Sequence, residues 1–279
     1  MAAACAIAIH FIAPINLANW YLLTDYVQVD FLLQICYSQC MKLYDEDVQG
    51  YIHSVYTGGM VDGPGIRTVV FAAGCSLRCL YCHNPDTWFR ARGHKKSVAE
   101  VLDDALKYSS YYKYSGGGIT ISGGEPADQP RFLKELLIAC RDNNIHTALD
   151  TSGFSTEEAA EEILPYVDLL ILDFKAYDPR LYFRLTGQRQ ERPLLTLREA
   201  QFLKIPTWVR FVLVPGLTDN FDDLAKMAAF LKQHENIEKI EVLPFHKHGE
   251  HKWDSEKYTL HDTEPPSAEL LAEVQKIFA

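Results

Sequence analysis

From Thr68 onward the chain alternates short apolar runs with stretches of helical periodicity. The runs predict strands at Thr68–Ala73, Gly118–Ser122, His146–Asp150, Asp168–Asp173, Thr207–Val214 and Ile237–Leu243. Between them, Ser97-Val98-Ala99-Glu100 and Ser155-Thr156-Glu157-Glu158 have the form of capping boxes, in which a hydroxyl and a carboxylate satisfy the first free N–H groups of a helix. Further helices are predicted over Pro130–Arg141, Leu194–Lys204, Asp222–Gln233 and Ser267–Phe278. Six strands, each followed by helix, predict an α/β domain with a parallel sheet and right-handed crossovers. Periodicity leaves open whether that sheet stays flat or curls into a partial barrel. No repeat or low-complexity segment appears beyond this alternation.

Composition supports one large domain, since 279 residues with 48% hydrophobic side chains can bury a sizeable core. A net charge of -10 and a pI near 5.5 argue against a nucleic-acid partner, which needs clustered Lys and Arg. Lys95-Lys96 is a short basic pair and reads as a solvated loop. The first forty residues differ from the rest. No Lys or Arg precedes Lys42, and Met1 to Thr24 carries no charged side chain. His10, Pro14, Asn16 and Asn19 interrupt a membrane helix there, no basic flank would orient one, and a signal peptide would need a positive n-region. The functional domain is therefore expected to span residues 41–279 from near Met41. Residues 1–40, with Cys36 and Cys40, are expected to be an apolar leader without a role in it.

In parallel α/β folds chemistry gathers at the C-terminal ends of strands, where loops converge. The polar and unusual residues fall there: Gly123-Gly124-Glu125 after the second predicted strand, Asp150-Thr151-Ser152 after the third, Asp173-Phe174-Lys175 after the fourth and Pro244-Phe245-His246 after the sixth. Lys175 follows Asp173 by two residues, so both point to one side if the strand continues, and with Asp150 they form a candidate polar ring. After the first strand comes Cys75-Ser76-Leu77-Arg78-Cys79-Leu80-Tyr81-Cys82, a loop able to aim three thiolates at one point. Such a trio suits a 4Fe-4S cluster with one iron left open. It could also be half a zinc site, a set of buried small hydrophobes or disulfide partners. Zinc lacks a second close-spaced pair in the body of the chain, and seven cysteines with no secretory signal argue against disulfides.

The three-cysteine motif with Tyr81 and His83 resembles that of the radical S-adenosylmethionine enzymes. Ile52-His53-Ser54, Val61-Asp62-Gly63-Pro64-Gly65-Ile66-Arg67, Tyr81-Cys82-His83-Asn84, Ser122-Gly123-Gly124-Glu125, Leu149-Asp150-Thr151 and Leu243-Pro244-Phe245-His246, in this order, are similar to the pyruvate formate-lyase activating enzymes of that superfamily. The likeness runs from about Gly50 to Lys276. It implies a partial (β/α)6 barrel of parallel strands, with Cys75, Cys79 and Cys82 holding a 4Fe-4S cluster whose open iron chelates S-adenosylmethionine. It also implies cofactor contacts from Tyr81, Cys82, His83, Gly123, Gly124, Glu125, Asp173, Phe174, Lys175, Ala176, Tyr177 and His246, and a possible monovalent cation at Asp150 and Thr151. The paired glycines would let backbone approach the methionyl end, and Glu125 could take its ammonium or brace a cation.

The implied reaction is reductive cleavage of S-adenosylmethionine to methionine and a 5′-deoxyadenosyl radical. That radical removes a hydrogen from one backbone glycine of a large partner. Other glycyl-radical activases often insert a cysteine-rich segment soon after the motif, but no cysteine lies between Cys82 and Ser122, so one cluster is expected. Activators of anaerobic ribonucleotide reductase are shorter. Pyruvate formate-lyase is therefore the expected partner, with a flavodoxin or ferredoxin-like electron donor, a cytoplasmic setting, a monomeric state and neither nucleic acid nor membrane. The alternatives are activation of another glycyl-radical enzyme, radical chemistry on a small molecule, or a non-catalytic metal-binding scaffold.

Overall fold

Ile119 and Ile121 point to one side of their strand and Thr120 and Ser122 to the other, and this alternation divides the sheet into two unlike faces. The computed structural model describes residues 43–279. The expectations for the leader, for Cys36 and Cys40 and for a start at Met41 lie outside the described residues. The strands are β1 (Gln49–Gly59), β2 (Arg67–Ala72), β3 (His94–Ser97), β4 (Gly118–Gly123), β5 (His146–Thr151), β6 (Leu169–Asp173), β7 (Thr207–Leu213) and β8 (Ile237–Pro244). They form one sheet in the order β3-β1-β2-β4-β5-β6-β7-β8, which does not close on itself.

The six predicted strands are β2 and β4 to β8, and every pairing among them is parallel. The sequence pattern did not predict β1 and β3, which pair antiparallel to β2 and β1 respectively. Only Gly50, Ile52 and Gly59 of β1 are buried, and β3 is four polar residues at the sheet edge, so neither carries an apolar run. Lysines at an exposed edge also discourage pairing with another chain, which gives Lys95-Lys96 a place in a strand instead of a loop.

Helices α1 (Val98–Leu106), α3 (Pro130–Asp142), α4 (Glu157–Ile163), α6 (Glu191–Phe202), α7 (Phe221–Leu231) and α8 (Ala268–Phe278) cover the face that carries Ile119, Ile121, Leu149, Leu170, Leu172, Val209 and Phe211. The capping box at Ser97 forms as predicted, with both of its bonds to Glu100. At the second signature Thr156, not Ser155, caps α4, its hydroxyl accepting from the Ala159 N–H, so that helix starts one residue later. Helices α2 (Ser109–Ser115) and α5 (Pro179–Thr186) were not predicted. In α5 Asp178 caps the start by accepting from the Arg180 and Leu181 N–H groups, and Gly187 ends it in the left-handed conformation. Among the described residues no helix is long and apolar enough to cross a membrane.

The opposite face is mixed. Ala148, Leu169 and Ile171 form a small apolar cluster with Trp208, while Ser122, Asp150, Asp173 and Arg210 lie toward the C-terminal ends. The loop between β1 and β2 crosses this face: the Asp62 carbonyl accepts from Thr120 Oγ1 at 2.6 Å and the Val61 carbonyl accepts from Arg210 Nη2 at 2.5 Å. It runs into Arg67, the first residue of β2, which is fully buried.

Candidate functional site

The chain leaves β2 through Gly74, whose φ of +106° turns it into the cysteine loop. That loop is pinned on both flanks. The Arg78 and Leu80 N–H groups donate to the Thr186 and Leu185 carbonyls at the end of α5, at 2.8 and 2.9 Å, and the Ser76 N–H donates to Asp128 Oδ2 at 2.7 Å. The Arg78 guanidinium holds the loop from outside, donating to the Cys75 and Leu77 carbonyls at 2.6 and 2.7 Å. Cys75, Cys79 and Cys82 consequently all line one cavity of about 310 Å³ at the C-terminal ends of the strands.

Gly123 and Gly124 form part of the same wall. A Cβ on Gly123 would stand 2.3 Å from the Ala72 nitrogen, and one on Gly124 would stand 2.3 Å from the Gly74 carbonyl oxygen. The first need for two glycines is therefore the close approach of the β4 end to the β2 backbone, over which the cysteine loop is built. Glu125 is 1% exposed, and its carboxylate accepts from Thr151 Oγ1 at 2.5 Å, the Ser152 N–H and Oγ at 2.8 and 2.5 Å, and the Ala127 N–H at 3.0 Å. Burial pushes its pKa up against these four donors. So engaged, Glu125 ties the loops after β4 and β5 together, and the same bond commits the Thr151 hydroxyl.

The polar ring forms, with members that sequence reading passed over. Lys175 Nζ meets Asp173 Oδ2 at 2.5 Å and lies 5.7 Å from the Tyr81 ring centre. Burial alone would lower the Lys175 pKa, but Asp173, Tyr81 and Cys79 more than offset it and leave it raised. Asp150 Oδ2 accepts from Ser122 Oγ at 2.8 Å and faces Arg210 Nη1 at 3.4 Å, and burial raises its pKa despite that guanidinium. Arg210 stands opposite Asp173 in the β6–β7 register and also donates from Nε to Glu241 Oε2 at 2.9 Å. Arg210, Asp62, Ser122 and Trp88 all line the cavity. A lone arginine in the apolar run Thr207–Val214 was the legible signal for the first of these. Trp88, far along an irregular loop, gave none.

Of the other expected residues, Tyr81 and His83 line the cavity. His246 stands outside the wall and stacks on His83, with ring centres 4.0 Å apart and planes 13° apart. His83 Nε2 lies 3.1 Å from the His246 carbonyl, so Nε2 carries the proton, and burial with the neighbouring ring lowers the His83 pKa to about 4. Phe174, Ala176 and Tyr177 are not brought to the cavity: the first two are fully buried in the apolar clusters, and Tyr177 packs on Phe230 at 5.6 Å. Alternation past the strand end sends Asp173 and Lys175 inward and Phe174 and Ala176 into packing, while Tyr177 leaves that alternation where the chain bends toward α5.

The donor set fits an iron-sulfur cluster. Burial pushes the Cys79 thiol up to about 12 and raises Cys75 and Cys82, so a cationic group is needed to draw off their protons. Among the described residues no three His, Cys, Asp or Glu side chains converge closely enough for a single ion. Thiolates on separate corners of a cluster stand further apart than the ligands of one metal. The buried Tyr81 hydroxyl, in the wall of the same cavity, has no hydrogen-bond partner.

A loop of three cysteines at the top of a parallel, unclosed sheet defines a class of enzyme, and the family model of the Radical SAM superfamily matches residues 69–230. Within that class, the chain is 43% identical over 233 residues to the pyruvate formate-lyase-activating enzyme of Staphylococcus aureus (strain USA300), covering 80% of this chain and 93% of the relative. The chain belongs to the family of pyruvate formate-lyase-activating enzymes. A solved domain of such an enzyme from Bacteroides vulgatus ATCC 8482 superposes with a TM-score of 0.50 and 27% identity, over 58% of this chain and 93% of that one. A radical SAM methyltransferase from Sphaerobacter thermophilus shares the fold at a TM-score of 0.55 and 15% identity, over 92% of this chain and 82% of that one.

Proposed function

We propose that this chain activates pyruvate formate-lyase by generating a glycyl radical on it. The observation that carries this reading is the meeting of Cys75, Cys79 and Cys82 with the Gly123-Gly124 turn and the Asp150, Asp173, Lys175 and Arg210 ring around one cavity. When bound, a 4Fe-4S cluster and S-adenosylmethionine supply reductive cleavage to methionine and a 5′-deoxyadenosyl radical that takes a hydrogen atom from a glycine of the partner. Cys75, Cys79 and Cys82 would hold the cluster. The Gly124 N–H is held by the Ala72 carbonyl at 2.8 Å, so the Gly123-Gly124 turn gives the methionyl end close access to backbone carbonyl oxygen, and the alternating acids and bases of the ring can match an ammonium and a carboxylate. Tyr81, with His83 beside it, presents aromatic surface to the adenosyl end, and His246 sets the His83 ring plane by stacking.

Burial of these groups excludes water from the radical step. A monovalent cation beside Asp150 and Thr151 belongs to the same proposal, where it would share the Asp150 carboxylate with Arg210. So do a cytoplasmic setting, a monomeric state and a flavodoxin or ferredoxin-like donor. The test is anaerobic: the reconstituted chain, reduced with S-adenosylmethionine and pyruvate formate-lyase, is expected to yield a glycyl doublet by electron paramagnetic resonance. Cleavage without that doublet would move the substrate elsewhere, and no cleavage by a fully loaded cluster would overturn the enzyme reading.

A further inference from the structure

Outside the cysteine loop lies a second cleft, of about 400 Å³, whose apolar surface is Trp88, Phe89 and Trp253. Trp88 lines this cleft and the cysteine cavity alike, so one indole separates them. Trp253 Nε1, from the cleft, donates to the Cys82 carbonyl at 2.9 Å. The cleft is therefore the outer side of the wall that holds Cys82.

Its charge contrasts with that of the chain. Asp86 and Asp254, the carboxylates of the cleft, are each matched by a lysine, Lys252 at 3.5 Å and Lys257 at 3.1 Å. Arg78 and Arg92 remain, both exposed, and neither is in an ion pair among the described residues. Arg78 stacks over Trp88 and Phe89 at 5.0 and 5.2 Å. Arg90 and Lys95, also exposed and outside any ion pair of the described residues, extend the patch toward the sheet edge. Two uncompensated arginines line the half-exposed aromatic floor, and Arg90 and Lys95 lie beyond it over Tyr51, so in a chain of net charge -10 this face has a local field of the opposite sign.

We propose that this cleft docks an acidic one-electron carrier protein, which delivers its electron to the cluster past Trp88. The inference rests on the cluster-binding function proposed above. One electron leaves the carrier and one enters the cluster, so the carrier is oxidised as the cluster is reduced. Exposed aromatics supply the contact area and the arginines set orientation and encounter rate.

The experiment compares the reconstituted wild-type chain with Arg92→Glu/Lys257→Glu and with a control, Lys113→Glu, which alters α2 beside the N-terminal ends of the strands. Binding of a flavodoxin is measured by calorimetry at low and high salt, and S-adenosylmethionine cleavage is measured with dithionite in place of any protein donor. The double variant is expected to bind flavodoxin about ten-fold or more weakly at low salt, with a flatter salt dependence. Its dithionite-driven cleavage should be unchanged, and the control should bind like wild type. Unchanged affinity in the double variant, or equal weakening by Lys113→Glu, would overturn the docking site while leaving the enzyme reading intact. Failure of the wild type to cleave S-adenosylmethionine even with dithionite would overturn both.

Discussion

Cys79 and Cys140 are both buried, and what separates them is what lies beside each. Cys140 is fully enclosed in α3 by the main apolar core, where burial pushes its thiol up to about 12 and it serves as a small hydrophobe. Cys79 shares a cavity with two further thiols and the Lys175 ammonium. We expect Cys75→Ala, Cys79→Ala and Cys82→Ala each to lose the cluster, whereas Cys140→Ala keeps it at a stability cost of about 1 kcal/mol. Iron and acid-labile sulfide per chain after anaerobic reconstitution decide the matter, and full loading of any of the first three would remove that cysteine from the ligand set. These cysteines were legible because their spacing is local in sequence. Arg210 and Trp88 reach the same cavity only through the β6–β7 register and an irregular loop, which spacing cannot express.

At the scale of elements, the two ends of the strands do different work. The C-terminal ends carry the cavity, while at the other end Arg67 joins three strands. Its Nε donates to Thr120 Oγ1 at 2.5 Å, and Nη2 donates to the Ile119 carbonyl and to the His146 carbonyl, the latter at 3.3 Å. Nη1 donates to the Pro64 carbonyl at 3.1 Å, which fixes the loop that crosses the inner face. Burial lowers the Arg67 pKa to about 10, so it stays charged at neutral pH and needs those oxygens. Arg67→Met removes the donors and leaves carbonyls unpaired, with an expected loss of about 2–4 kcal/mol. Urea midpoints of the two proteins measure it, and a loss below about 1 kcal/mol would refute the clamp. The six parallel strands were legible because each sets apolar side chains against the helix-covered face, even the edge strand β8 through Ile237, Ile240 and Val242. Strands β1 and β3 were not, because β1, though paired on both sides, buries only Gly50, Ile52 and Gly59, and the edge strand β3 is four polar residues.

At the scale of the molecule, the question is how much of the chain the site requires. Among the described residues, 43–279, the sheet has eight strands, and all three cysteines of the loop lie there too. The described segment ties down its own first turn: the Asp45 N–H donates to Glu135 Oε2 at 2.7 Å, Asp45 Oδ2 meets Arg131 at 3.2 Å, and the Val98 N–H donates to the Val48 carbonyl at 3.0 Å. Tyr44 and Val48 pack against the main core. Whether the sheet was flat or curled could not be read from periodicity, because that depends on how strands twist against one another over the whole width. A boundary near Met41 is suggested by composition alone, because no Lys or Arg precedes Lys42. We therefore propose that residues 1–40 lie outside the functional domain and that a chain starting at Met41 folds and cleaves S-adenosylmethionine at the full-length rate. Thermal unfolding and a cleavage assay on both forms test this. A lower melting temperature or a slower rate in the shorter chain would mean that the leader contributes to the core or to the site, in spite of its different composition.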